Sequence, residues 1–241
     1  ILAVGRIETG VTCTHEPDTT SFMDGLRDIW AEPKTRNFTL FVFLSMNAYF
    51  MQELILEPYA GLVFNFTPGE STTLSGAQNG GVFLGMLTVG TVATGLKIGT
   101  LRAWVVGGCI GSGSALSLIC LTGIIPTPFN FTHLVIALGF FNGMFAVAAI
   151  GAMMALASEG RRRREGTRMG LWGAAQAIAA GFGGLTGAVL VDLARTIAPD
   201  GQAFGLVFAF EALLFLAAAL MAARVIGTAR VPENASMVPG E

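Results

Sequence analysis

The stretch "NFTLFVFLSMNAYFMQELILEPYAG", Asn37 to Gly61, decides the class of fold. It carries no charged residue between Arg36 and Glu53. At about 1.5 Å per residue, the run from Phe38 to Glu57 is long enough for a helix to cross roughly 30 Å of hydrocarbon. Its far end is unusual, because Glu53 and Glu57 stand four residues apart, with Gln52 beside them, in a run otherwise suited to lipid. The rest of the chain has the same character: 53% of its residues are hydrophobic and only 12% charged, against about a quarter charged in soluble domains. The sequence therefore predicts an all-α integral membrane protein.

Six apolar runs are long enough to span: 38–57, 73–96, 103–124, 132–157, 168–193 and 203–225. Helix breakers mark the joints, with "EPYAG", "FTPGES" and "IIPTPFNF" on one side and "KIGTLR" and "EGRRRREGTR" on the other. Of the 14 Lys and Arg residues, only Arg195 falls on the first side, so both termini are expected in the cytoplasm. Arg161, Arg162, Arg163 and Arg164 serve as topology anchors on this reading. Ahead of the spans, Phe22, Leu26, Ile29 and Trp30 share one helical face, with Ser21 as N-cap, which predicts a short amphipathic helix at the cytoplasmic interface. The organisation is thus a linker or tail of an upstream half over 1–20, an interfacial helix over 21–33, a six-span bundle over 34–226 and a polar tail over 227–241. A net charge of -2 offers no basis for nucleic-acid binding. Cys109 and Cys120 would lie about 16 Å apart on one helix, too far for a disulfide.

Two stretches, "FMQELILEPYAGLVFNFTPGESTTLSGAQNGGVFLGM" and "REGTRMGLWGAAQAIAAGFGGLTGAVLVDLAR", resemble the PucC/LhaA family of bacteriochlorophyll delivery and light-harvesting assembly proteins, a branch of the major facilitator superfamily. The resemblance runs from Phe22 to Arg224 and corresponds to a C-terminal six-span half. It implies one half of a facilitator-type bundle, built as a 3+3 inverted repeat, in the bacterial inner or photosynthetic membrane. Its implied partners are membrane lipid, light-harvesting antenna polypeptides or a reaction-centre complex, and pigment-synthesis enzymes. The implied cofactor is bacteriochlorophyll or a precursor, held transiently. Glu53 stands where that family commonly carries an aspartate, so the carboxylate is kept.

The candidate functional residues are the polar ones inside the spans, because a charged side chain at mid-bilayer costs about 2.5–3.5 kcal/mol on insertion scales and so needs a cavity or a partner. Ser45, Tyr49, Glu53 and Glu57 recur every four residues as a polar stripe. Glu57 is expected to cap its span in the interface, and Glu53 to serve as a proton-binding carboxylate, as a hydrogen-bond acceptor in a cavity, or as an anchor of an outer gate to Gln78 and Asn79 of the second span. Glu211, deep in the last span, is expected to take Gln176 of the fifth as donor. Asp192 and Arg195 are expected to pair at i, i+3. These residues form the candidate polar cavity or gate: Gln52, Glu53, Glu57, Gln78, Asn79, Gln176 and Glu211.

Glycine is the second signal, with 32 in the chain and small-residue spacing at 81/85, 107/111, 139/143 and 183/187. The stripe Gly173, Gln176, Ala180, Gly183 and Gly187 is flat enough for another helix or for a planar macrocycle. Candidate pigment contacts are Gly173, Gly183 and Gly187, with His133 and Asn142 offering a nitrogen or an oxygen to magnesium. No nucleophile–base pair, phosphate loop or metal-ligand spacing occurs, so the sequence offers no support for an enzyme or a resident metal. Three functions fit: an antenna assembly factor that binds or delivers bacteriochlorophyll, a proton-coupled transporter of the facilitator type, and a structural subunit docked on a photosynthetic complex.

Overall fold

The computed structural model describes residues 22–125, 128–158 and 165–227, and these fold as helices. The N-terminal linker with Ser21, the run Arg161, Arg162, Arg163 and Arg164, and the tail beyond Gly227 lie outside the described residues. The elements are α1 (Phe22–Ala31), α2 (Pro33–Phe64), α3 (Pro68–Val89), α4 (Leu101–Thr122), α5 (Phe131–Ser158), α6 (Glu165–Arg195) and α7 (Asp200–Val225). A single π-helical turn, Gly90–Gly95, continues α3.

Local chemistry sets the helix ends. Asn65, in the left-handed conformation at φ 57°, ends α2 and returns its N–H to Ala60 O. Two residues later Thr67 and Glu70 form a reciprocal capping box, with Pro68 at the first helical position, so α3 starts at once. Between α3 and α4, Lys97 (φ 54°) and Gly99 (φ 86°) turn the chain. The Trp104 indole N–H, donating to Ile98 O, pins that turn.

Five helices, α2, α4, α5, α6 and α7, are long and apolar enough to cross a membrane. The sixth expected span, 73–96, is helical, yet α3 falls outside that group because its first half, "PGESTTLSGAQNGG", is rich in Gly, Ser, Thr, Gln and Asn. The amphipathic segment forms α1, with Ile29 buried and Trp30 43% exposed.

Packing follows a definite scheme. The helix α2 packs on α6 and α7, α4 on α5 and α7, and α3 on α5, whereas α2 barely meets α3. Glycine sets the closest approaches. A Cβ at Gly81 or Gly85 would strike the backbone of Ile136 and Phe140, and one at Gly139 or Gly143 would strike that of Gln78 and Val82. On α4 the expected pair shifts, since Gly107 has open space beside it, while Gly108 and Gly111 press on Phe145 and Phe141.

Aromatic clusters close both ends of the α2, α4, α5, α7 core. At one end Tyr59 packs on Phe64, Phe131, Phe204 and Phe208, its hydroxyl 3.2 Å from Ile119 O and 3.1 Å from Thr122 Oγ1. At the other, Phe41 meets Phe145, which meets Phe215, and Trp172 stands edge-on to Phe38.

Candidate functional site

Between those clusters the buried face of α2 reads Phe41, Ser45, Ala48, Gln52, Leu56, Tyr59, and that of α7 reads Phe204, Phe208, Glu211, Phe215. Helical spacing aims Gln52 and Glu211 at the same axis as the rings that flank them. Asn142 of α5 and Ser112 of α4 point there too, joined by a 2.7 Å hydrogen bond from the Ser112 hydroxyl to Asn142 Oδ1. Measured from each helix midpoint at 1.5 Å per residue, Ser112, Asn142, Glu211 and Gln52 all lie within about 5 Å of mid-span. All four are fully buried. Five polar atoms in this layer lack a hydrogen-bond partner: both on Gln52, both on Glu211 and Asn142 Nδ2. Buried polar groups are normally paired, so a layer of orphans at mid-membrane marks a place where stability is not the constraint on residue choice.

The outward face of α2 carries a second feature. Glu53 and Glu57 are exposed. By the same geometry Glu53 lies about 7 Å from the α2 midpoint and Glu57 about 13 Å, so Glu53 stays within hydrocarbon depth and Glu57 approaches its edge. Glu53 lines an open groove of about 220 Å³ with Phe50, Leu54, Ala180 and Gly184, formed between α2 and α6. The expected gate to Gln78 and Asn79 is not formed. Gln78 presents its backbone to Gly139 on α5, Asn79 is exposed, and α3 pairs with α5 rather than with α2.

Other expectations are redrawn in the same way. Gln176 is exposed on α6 while Glu211 is fully buried, and α6 and α7 meet only slightly, so the amide is not the donor for that carboxyl. Arg195 pairs with Asp200 at 2.7 Å, across the α6–α7 turn, rather than with Asp192. The glycine stripe of α6 divides: Gly183 and Gly187 pack on the backbone of Asn47 and Met51, whereas Gly173 opens to space. Asn142 lies inside the bundle, away from any face that a large planar ligand reaches, and His133 is exposed at the start of α5.

A third site, with no counterpart among the sequence-based candidates, lies at the start of α2. Arg168, 3% exposed, donates to Glu32 at 2.9 and 3.0 Å and reaches Ala157 O at 3.5 Å, tying the α1–α2 junction to α5 and α6. Thr35 adds a 3.0 Å bond to the same carboxylate. Beside them is a cavity of about 160 Å³ lined by Glu32, Lys34, Thr35, Phe38, Leu156, Arg168 and Trp172. The signal was present in the spacing, since Arg168, Trp172, Ala175, Ala179 and Gly183 make one helical stripe, which the neighbouring arginine run obscured. Among the described residues no group of three or more His, Cys, Asp or Glu is placed to hold a metal ion.

Comparison with known proteins identifies the family. The PUCC protein family model matches residues 1–230. The chain belongs to the PucC family. Among curated relatives of this PucC-family chain, the Rhodobacter capsulatus "Bacteriochlorophyll synthase 44.5 kDa chain" is 64% identical over 96% of the chain and 55% of its own length. "Protein PucC" of Cereibacter sphaeroides is 29% identical over 81% of the chain and 43% of its own length. "Protein PucC" of Rhodobacter capsulatus is 31% identical over 70% and 37% respectively. The chain therefore spans about half the length, or less, of these relatives. No solved structure matches it.

Proposed function

We propose that the chain is a photosynthetic antenna assembly factor that binds or delivers bacteriochlorophyll and helps build light-harvesting complexes in the membrane. The observation that carries this reading is PucC-family membership, together with 64% identity to a relative named for bacteriochlorophyll synthesis. The word synthase belongs to that relative's name, and the role proposed here is not catalytic. Its partners on this reading are antenna polypeptides or a reaction centre, pigment-synthesis enzymes and lipid.

The fold proposal is a six-span half of a facilitator-type bundle with α3 as the sixth span. Its support is the pairing scheme. Exchanging α2, α3 and α4 with α5, α6 and α7 maps the α2–α6 pair onto α3–α5 and the α2–α7 pair onto α4–α5, and it maps α4–α7 onto itself. Lys and Arg placement supports cytoplasmic termini, with residues 1–20 and 227–241 flanking the bundle. Glu211 favours a second reading, a proton-coupled transporter, because a carboxyl about 2 Å from mid-span is where such proteins place a coupling group.

Affinity purification in mild detergent from pigment-containing membranes, with an absorption spectrum and identification of co-purifying chains, separates the readings. Bacteriochlorophyll bands with antenna polypeptides support assembly. A colourless, partnerless protein that takes up protons with a solute refutes it in favour of transport.

A further inference from the structure

The carboxylate on the outer face of α2 calls for a partner. Glu53 sits about 7 Å from the α2 midpoint on an exposed helix face, where a charge facing hydrocarbon is costly if nothing pairs with it. The wall facing it on α6 is flat and apolar, while Tyr49 and Glu57 flank it four residues away on α2. Leu54 is 52% exposed, and across the groove Ala180 and Gly184 present almost no side chain. A Cβ at Gly184 would come within 3.3 Å of Leu54, so a larger residue there would fill the groove. Pro58, inside α2, has no N–H to donate to the Leu54 carbonyl four residues back, leaving a second oxygen acceptor without its helical donor one residue from Glu53.

The groove therefore sets a hard anionic oxygen on α2 against a flat apolar wall of α6. A ligand complementary to it is planar and apolar and carries one exposed hard cation. We propose that the α2–α6 groove is a docking site for a magnesium tetrapyrrole, with the Glu53 carboxylate as axial ligand to the magnesium. This rests on the pigment-binding reading and assigns its site. A Glu53 oxygen would donate a lone pair to the magnesium in place of a weakly held water, which is released to solvent; no other bond changes. Bonding to the cation compensates the carboxylate charge, while Ala180 and Gly184 let the ring lie close to the helix surface. Gln176 falls on the same α6 face, at i, i+4 and i+8 with Ala180 and Gly184, and places an amide further along that wall. Neither His133 nor Asn79, both exposed, lines this groove.

The test is a titration of the full chain, purified in mild detergent, with bacteriochlorophyll and with its magnesium-free form, read by absorption and by quenching of tryptophan fluorescence. Wild type should bind the magnesium form at least tenfold tighter. Glu53→Leu should erase that preference while its far-UV circular dichroism stays helical, Glu53→His should restore it with a shifted absorption band, and Gly184→Leu should weaken both pigments. If Glu53→Leu keeps the wild-type preference and spectrum, the ligand assignment is overturned and pigment binding itself stands. If wild type binds neither form, the reading on which the site rests falls with it.

Discussion

Two glycines five residues apart on α3 should respond in opposite ways to the same added methyl group. At Gly85 a Cβ would lie 2.9 Å from Met144 N and from Phe140 C and closer still to Phe140 O, against 3.4–4 Å for ordinary contact. The α3–α5 pair must then separate by at least about 0.5 Å, and a gap of that size already forfeits about a quarter of the attraction between facing atoms. Overpacking of this kind costs about 1–3 kcal/mol. At Gly80 nothing lies within 4 Å, so Gly80→Ala brings only the helix-propensity gain of up to about 1 kcal/mol. Gly85→Ala shares that gain, so the expected contrast between Gly85→Ala and Gly80→Ala is the overpacking cost, about 1–3 kcal/mol. Unfolding of the purified chain in mixed micelles of increasing denaturing-detergent fraction, followed by circular dichroism, measures it. Equal effects of the two substitutions would refute the close α3–α5 packing, and with it the place of α3 inside the bundle.

Three further outcomes follow from other parts of the structure. Glu211→Leu should raise stability by about 1–3 kcal/mol in the same assay, since it replaces a carboxyl with two orphaned oxygens by a side chain that favours the bilayer; a loss above about 1 kcal/mol would mean the carboxyl is paired in the folded protein. Glu32→Gln should cost about 2–3 kcal/mol, because Arg168 is 3% exposed and loses its carboxylate, with the 44% exposure of the Glu32 side chain moderating the loss; thermal unfolding of the variant checks this. Asp200→Asn should change stability by less than about 1 kcal/mol, as both partners of the Arg195 pair are 40% exposed, and a larger effect would contradict its surface character.

Much of the candidate site was legible as residue type and little of it as partnership. Gln52, Glu53 and Glu211 announce themselves because carboxyls and amides are rare in spans, and the apolar period places them on a helix. Their directions were not legible. Gln52 and Glu53 are neighbours in the chain, yet about 100° of helical rotation sends one into the Tyr59 face and the other into the α6 groove. Which helix stands opposite is a further unknown: matching by depth in the span misassigned Gln78 and Asn79 to Glu53 and Gln176 to Glu211, and i, i+3 spacing misassigned Asp192 to Arg195. Arg168 follows a run of four arginines that masks it, though its spacing to Trp172 and Gly183 marks it as interior.

That this chain spans a membrane as a set of long helices, where its turns lie, and which polar residues are anomalous can all be read from the residues alone. Those properties are local: they depend on the length of an apolar run, on a proline or an Asn at a terminus, and on the cost of taking a charge out of water. That α2 packs on α6 and α7 while α3 packs on α5, and so which polar groups form a buried layer and which a groove, emerges only in the packed bundle. Lipid is as apolar as leucine, so hydrophobicity places every span in the membrane without choosing its neighbours; close backbone approach at Gly81, Gly85, Gly139, Gly143, Gly183 and Gly187 makes that choice.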